Sequence, residues 1–324
     1  MSTLAVEGLR VRLPTPAGDV TVVDGVDYEV QPAEVFGIAG ESGSGKTVSM
    51  LALLGLLPDG STVEGTAQFG DDDLIGISRR RLQSISGRDI AMVFQDPYTS
   101  LHPMLSVGKQ LTEHVRLHLG LDRRGAEERA VELLTDVRIP DPRAALHRYP
   151  HQFSGGMRQR IAIAIALACR PRLLIADEPT TALDVTVQAG ILRLLDRLRR
   201  EHELAVVLIT HDLGVLSSVA DRVSIFYAGR VVESGPREDV LQRPRHPYTR
   251  ALLDALPHPE APKEQDLVAI GGAPPSPGRI PAGCAFHTRC AYATDESRAG
   301  VPPLVPVADG RRKLACHNDP FKDE

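Results

Sequence analysis

Residues 35–47 read VFGIAGESGSGKT, and this stretch decides the fold. Val35, Phe36, Ile38 and Ala39 form a short apolar run of the kind a buried parallel strand shows. The run breaks at Gly40. Gly40, Glu41, Ser42, Gly43, Ser44, Gly45, Lys46 and Thr47 then satisfy the pattern G-x-x-x-x-G-K-[ST]. Val48, Met50, Leu51, Leu53 and Leu54 continue as a helix that Pro58-Asp59-Gly60 stops. Strand, glycine-rich turn and helix together predict a phosphate site. The glycines let backbone N–H groups converge on an anion, and the helix N-terminus adds favourable partial charge. Lys46 then reaches the β- and γ-phosphates, and the Thr47 hydroxyl ligates Mg²⁺. A flexible Gly/Ser turn that happens to carry a lysine would not explain both flanking elements.

Outward from this loop, the chain supplies more strand ends with polar residues. Ile90–Phe94 is a buried-strand run followed by Gln95, whose amide can ligate Mg²⁺ and orient a water. A glutamine at the carboxyl end of a core strand stands where ligands bind in open α/β sheets. Leu173–Ala176 leads into Asp177 and Glu178, one suited to hold Mg²⁺ through water, the other to polarise the attacking water. Charged residues merely capping a strand end are the alternative. Ala205–Thr210 is another core strand, with His211 at its carboxyl end, in reach of a γ-phosphate. Ser154, Gly155 and Gly156 open the apolar helix that contains IAIAIALA, and form a second anion-binding helix end. A plain N-cap accounts for the serine alone. Whether two such ends serve one nucleotide or two half-sites stays open at this level.

Between these points, residues 4–13 and 20–30 alternate as half-exposed antiparallel strands, the second broken at Asp24-Gly25. Residues 9–27 hold no aromatic side chain. Leu13 or another aliphatic therefore stands where many nucleotide-binding folds stack adenine. Residues 105–119, 125–137 and 186–202 read as helices, the first two an insertion after the phosphate loop. Thr181–Asp184 is a tight loop.

Composition excludes several classes. The 324 residues are 42% hydrophobic and 24% charged with formal net charge -5. That balance offers no basic face for nucleic acid. The longest apolar run, Ile161–Cys169, is far short of the ~20 residues a membrane span needs. No signal-peptide pattern opens the chain. A soluble, cytoplasmic chain is predicted, touching a membrane only through a partner.

GESGSGKT, the Gln95 loop, FSGGMRQR, LLIADEP, TALD and ITHD occur in an order that resembles the ATP-binding subunits of ABC transporters. VFQDPYTSLHP, PHQFSGGMRQR, YAGRVVESGP and HPYTRALLDALP look like the oligopeptide/dipeptide (or nickel) uptake branch. The resemblance implies an α/β fold: a P-loop (RecA-like) ABC ATPase core with an antiparallel β subdomain and an inserted helical subdomain, about 98–165. An ATPase domain over 1–256 would be followed by an irregular C-terminal extension, 257–324. It further implies two ATPase subunits, identical or related, meeting head to tail, with Ser154, Gly155 and Gly156 serving the partner's ATP. Residue by residue, Lys46 and Thr47 bind phosphate and Mg²⁺, and Gln95 senses the γ-phosphate. Asp177 holds Mg²⁺, Glu178 is the general base, Asp184 supports the dimer contact, and His211 is the switch histidine. Partners would be polytopic permease subunits, touched by the loop Tyr98–Met104, and indirectly an extracytoplasmic solute-binding protein. The expected place is the cytoplasmic side of the cell membrane, bound peripherally. The departures are the missing adenine-stacking aromatic and Phe153, where leucine is commoner.

The extension holds ten of the chain's 25 prolines, between Pro257 and Pro306, so an irregular segment is expected rather than a second core. Cys284, Cys290 and Cys316 could anchor an iron–sulfur cluster or zinc, with His287 or His317 as a fourth ligand. Peptide-importing relatives often carry a further cysteine where this chain has Ser297. The favoured reading is an extension held by packing and prolines. Cys169, in an apolar helix, is a small core residue. Peptide import is the leading functional expectation, and import of nickel or another small solute is its alternative. A non-transport ABC ATPase acting on DNA or ribosomes would carry a longer insertion between Gln95 and Ser154. A P-loop kinase would not need SGG followed by Met-Arg-Gln-Arg.

Overall fold

The structure is a computed structural model in which residues 2–181, 183–256, 269–307 and 310–322 are described. Ala182 of the Thr181–Asp184 loop and the opening of the proline-rich extension, 257–268, lie outside the described residues. The chain divides into two units. One comprises Met1–Thr3, Val30–Val35 and Ile77–Ile209, the other Leu4–Glu29, Phe36–Gly76 and Thr210–Glu324.

The first unit is built on three parallel strands, Ile90–Val93, Leu173–Asp177 and Ala205–Ile209, in that order. The last two are buried at every residue, as their unbroken apolar runs require when both faces of a parallel sheet are covered. Helix Gly155–Ala166 is apolar on most sides and accordingly sits in the core. Helix Val107–Leu119 buries Val107, Leu111 and Val115, one face at helical spacing; Ser106 caps its start and Gly120 ends it. Helix Arg123–Asp136 buries Ala126, Ala130, Leu133 and Leu134, and Val187 lies in the first turn of helix Val185–His202.

The second unit contains an antiparallel sheet in the order Gly18–Val30, Leu4–Thr15, Thr62–Phe69, Asp72–Asp73. Its alternation slips at two places. In Leu4–Thr15 the register shifts between Glu7 and Arg10, so that Val6 and Leu9, three apart, both face inward. Gly18–Val30 runs straight through Asp24-Gly25, where the sequence pattern predicts a break. Gly25 takes a φ of 70°, and Val23 and Val26 both remain buried.

The same unit carries strand Val35–Ala39 parallel to Arg222–Tyr227, which turns through Ala228 and Gly229 into antiparallel Arg230–Pro236. The C-terminal extension adds to this edge. Lys313–Leu314 pairs with Arg230–Pro236, and Val305–Pro306 pairs with Lys313–Leu314. Beneath it, Arg312 meets Glu233 at 3.3 Å with both side chains buried. Burial pushes the Glu233 carboxyl up, against the N–H donors of Arg245 and His246 and the Arg312 charge. The extension is thus irregular in shape but anchored through a buried charge pair and strand pairing.

Candidate nucleotide site

The phosphate loop takes its form from close backbone approach. Gly40 has a φ of 146°, and a Cβ there would lie 2.1 Å from the carbonyl oxygen of Phe226, so only glycine fits. The loop is tied to the turn after Arg222–Tyr227, since Gly229 N–H donates to Ser44 O at 3.0 Å. Helix Lys46–Leu53 starts at Gly45 with no side-chain cap and no acid in its first turn, the arrangement that leaves a helix end receptive to an anion. Lys46, 6% exposed, donates from Nζ to Gly40 O at 2.7 Å and Glu41 O at 2.9 Å. The helix is shorter than the run to Pro58 suggests, because Gly55 turns the chain with a φ of 64°.

His211 lies in the same unit as the loop. Thr210 N–H donates to Ile38 O at 3.1 Å, which fixes the chain beside the strand that feeds the phosphate loop. His211 is exposed immediately beyond, before helix Leu213–Val219, whose cap Asp212 accepts from the Gly214 and Val215 N–H groups.

In the other unit, Gln95 and Glu178 come together. Gln95 Nε2 donates to Glu178 Oε2 at 2.7 Å, and Thr181 Oγ1 donates to the same oxygen at 2.9 Å. Asp177 is 5% exposed at the end of its strand. Glu178 takes a φ of 45°, in the left-handed region that side chains other than glycine avoid. Its backbone is pinned in that state: Glu178 N–H donates to Ile209 O at 2.9 Å, and Thr181 N–H donates to Glu178 O at 3.2 Å. Strain of this kind persists where surrounding bonds over-determine it, commonly at functional sites.

Ser154 caps helix Gly155–Ala166, its Oγ accepting from Met157 N–H at 3.4 Å. The cap accounts for Ser154 and the packing for Gly156, whereas a Cβ on Gly155 would meet only Leu183 Cδ2, at an ordinary 3.6 Å. A Cβ on Gly156 would lie 2.5 Å from Val187 Cγ1, so glycine here lets two helix starts close on each other. Phe153 is buried, and the Arg148 guanidinium lies 4.3 Å from its ring centroid. Asp184 caps helix Val185–His202 through Val187 N–H at 2.9 Å.

The C-terminal thiols do not fit a metal. Among the described residues, no group of three or more His, Cys, Asp or Glu side chains is arranged to hold an ion. Ser297, in the expected fourth position, bonds through its Oγ to Thr294 N–H in a helix cap. His287 and His317 turn ring nitrogens to the carbonyls of Cys284 and Gly300 at 2.8 and 3.0 Å. No chemistry is routed through a cluster or zinc.

Three features escape a reading of the sequence. Thr181 grips Glu178, and a hydroxyl three residues on is the local signal that points to it. The left-handed backbone of Glu178 leaves no signal in residue type. The third is Arg289, whose guanidinium holds Glu41 of the phosphate loop from 248 residues away. An acid inside a phosphate loop implies a cation near it, without saying which.

Comparison with known proteins agrees with this geometry. The family described as ABC transporter matches residues 23–181, and the oligopeptide/dipeptide transporter C-terminal region matches residues 232–296. The chain is 46% identical to the oligopeptide transport ATP-binding protein OppD of Salmonella typhimurium, over 97% of this chain and 92% of that protein. It is also 46% identical to the dipeptide transport ATP-binding protein DppD of Escherichia coli, over 98% and 97%. Among solved structures it resembles the ATP-binding cassette MJ0796, a dimer in a post-hydrolysis state bound to ADP and Pi. The TM-score is 0.64 and the identity 26%, covering 72% of this chain and 98% of that one. The structure of cbiO1 from Clostridium perfringens, described as part of the ABC transporter complex cbiONQ, gives 0.63 and 27%, over 74% and 91%. With a phosphate loop, an acid braced by Gln95 and both family regions in one chain, it belongs to the ATP-binding subunits of the oligopeptide/dipeptide branch of ABC transporters.

Proposed function

We infer that this chain hydrolyses ATP to power import of di- and oligopeptides through a membrane complex. The observation that carries the reading is the end-to-end alignment, C-terminal region included, with proteins named for oligopeptide and dipeptide transport. ATP is held by Gly40–Thr47, with Lys46 leaving the loop carbonyls for the β- and γ-phosphates. The donors suit Mg²⁺: the Thr47 hydroxyl, the Asp177 carboxylate through water, and the Gln95 amide oxygen are all hard oxygens. The bond from Gln95 Nε2 to Glu178 supports this, because it turns the amide oxygen of Gln95 away to serve a cation. Mg²⁺ when bound neutralises charge on the phosphates. Glu178 takes a proton from the water that attacks the γ-phosphorus, giving ADP and phosphate. His211 bonds the γ-phosphate.

Ser154, Gly155 and Gly156 act on the ATP of a partner ATPase subunit, a second copy or a relative, with Asp184 supporting the contact. The dimeric state of the similar cassette MJ0796 supports this pairing. Permease subunits dock on the loop after Gln95, where Tyr98 and Met104 are 63% and 77% exposed. A solute-binding protein outside the membrane delivers the peptide to them. The helices between Pro97 and Ala166 support an inserted helical subdomain at about 98–165 within an ATPase domain of 1–256, followed by the extension 257–324. The chain is placed peripherally on the cytoplasmic face of the membrane; among the described residues no helix is long and apolar enough to cross it.

The test is purification of the tagged chain from native membranes, followed by reconstitution of what accompanies it with its solute-binding protein. Hydrolysis stimulated by peptides, with peptide uptake into the vesicles, is the expected result. Stimulation by nickel alone would reassign the solute, and recovery of ribosomes or DNA without polytopic subunits would overturn the transport reading.

A further inference from the structure

Arg289 belongs to the C-terminal extension, yet it reaches the phosphate loop. Its NH1 and NH2 donate to the two carboxylate oxygens of Glu41 at 2.7 and 3.0 Å. NH1 also donates to the Tyr227 hydroxyl at 3.2 Å and Nε to Gly271 O at 2.9 Å. The Arg289 side chain is 3% exposed, against a cluster of Tyr227, Tyr248 and Phe286. A fork–fork pair at such depth fixes orientation as well as position.

Glu41 is held at three points. Its carboxylate is on Arg289, its N–H donates to the Tyr248 hydroxyl at 2.9 Å, and its carbonyl accepts from Lys46. When Lys46 leaves for phosphate, the other two remain. The pair is not needed to attach the extension, which is already fastened through Arg312–Glu233, strand pairing at Lys313–Leu314 and the bond between Arg245 and Asp319.

We propose that Arg289 is a positioning residue for the phosphate loop: by fixing and neutralising Glu41, it lets the C-terminal extension set the loop's affinity for ATP. An unpaired carboxylate inside a phosphate loop would repel the triphosphate, and Arg289 removes that repulsion while holding the loop still as Lys46 moves. The link rests on the ATP-binding reading above.

The test measures binding of a fluorescent ATP analogue to the full-length chain, and KM and kcat for ATP in the assembled membrane complex. Arg289→Ala is expected to weaken binding about tenfold, the change that ~1.4 kcal/mol produces, and to raise KM more than it lowers kcat. Arg289→Lys, which keeps charge but loses the fork, should fall between. Adding Glu41→Gln to Arg289→Ala should recover most of the affinity, because the uncompensated charge is then gone; a purely structural arginine would show no such recovery. Wild-type affinity in Arg289→Ala with a lowered Tm would overturn the proposal. If that variant does not fold, wild-type affinity in Arg289→Lys, together with no change on adding Glu41→Gln to it, overturns it as well. Failure of the wild-type chain to bind ATP would instead sink the ATPase reading itself.

Discussion

Replacing Glu178 by glycine, alanine and glutamine separates the chemistry of this residue from the strain it bears. With a φ of 45°, Glu178 occupies a backbone region that costs a residue with a Cβ about 1–2 kcal/mol. Glycine escapes that penalty but gives up ~0.5–1 kcal/mol of chain entropy relative to alanine. The two replacements lose the same bonds to Gln95 and Thr181, so their difference isolates the backbone. Glycine should therefore be the more stable by about 0.5–1 kcal/mol, seen calorimetrically as a Tm higher by about 1 °C. At an ordinary position the sign would be opposite. Hydrolysis should fall on the order of 10³-fold in all three, ~4 kcal/mol of barrier, since each lacks the proton acceptor. Glutamine keeps the shape and shows that the loss is chemical. A glycine variant less stable than the alanine variant would refute the strain, and glutamine hydrolysis within tenfold of wild type would refute the base.

Two further outcomes are expected. His246, 1% exposed, accepts the Tyr248 N–H on Nδ1, and burial holds its pKa down to about 3 against the usual 6.5. Between those values the unfolded chain binds a proton that the native one refuses, so stability present above pH 6.5 is lost as pH falls towards 3, ~2 kcal/mol of it by pH 5. His246→Asn keeps a capping side chain and removes the titration; its Tm should drop less than that of wild type between pH 7.5 and pH 5, and equal drops would exclude His246 as the cause. Gly156→Ala should leave ATP affinity of the isolated chain within about twofold while lowering hydrolysis by the assembly about tenfold. Adding Val187→Ala, which removes the methyl that a new Cβ would strike at 2.5 Å, should restore much of the activity; no recovery would discount that contact.

What could be read in the sequence was local. The phosphate loop needs one strand, one glycine pattern and one helix start, all within a few turns of chain, and the apolar strands before Gln95 and Asp177 announce themselves by composition, although the first stops at Val93 and leaves Phe94 exposed. Thr62–Phe69 gives no such sign: only Ala67 and Phe69 of its eight residues are buried, and its strand state comes from pairing with Leu4–Thr15. The register shift at Glu7–Arg10 and the left-handed Gly25 each move the inward face by one residue, which strict alternation cannot anticipate. The extension was readable as irregular, but its grip on Glu41 depends on a contact whose partners lie in unrelated segments.

The helix start at Ser154 shows how one feature can satisfy both a structural and a functional reading. Ser154 Oγ occupies the Met157 N–H at 3.4 Å, a long hydrogen bond that a phosphate oxygen can replace. Under the proposed pairing, the partner's ATP competes with the cap for the Met157 N–H. Each docking event then exchanges a neutral acceptor for a charged one, and its net gain is the difference between the two. On that pairing, loss of the γ-phosphate returns the Met157 N–H to the serine. A cap that can be displaced and restored makes association reversible in each cycle, which a transporter that must reopen after every hydrolysis requires.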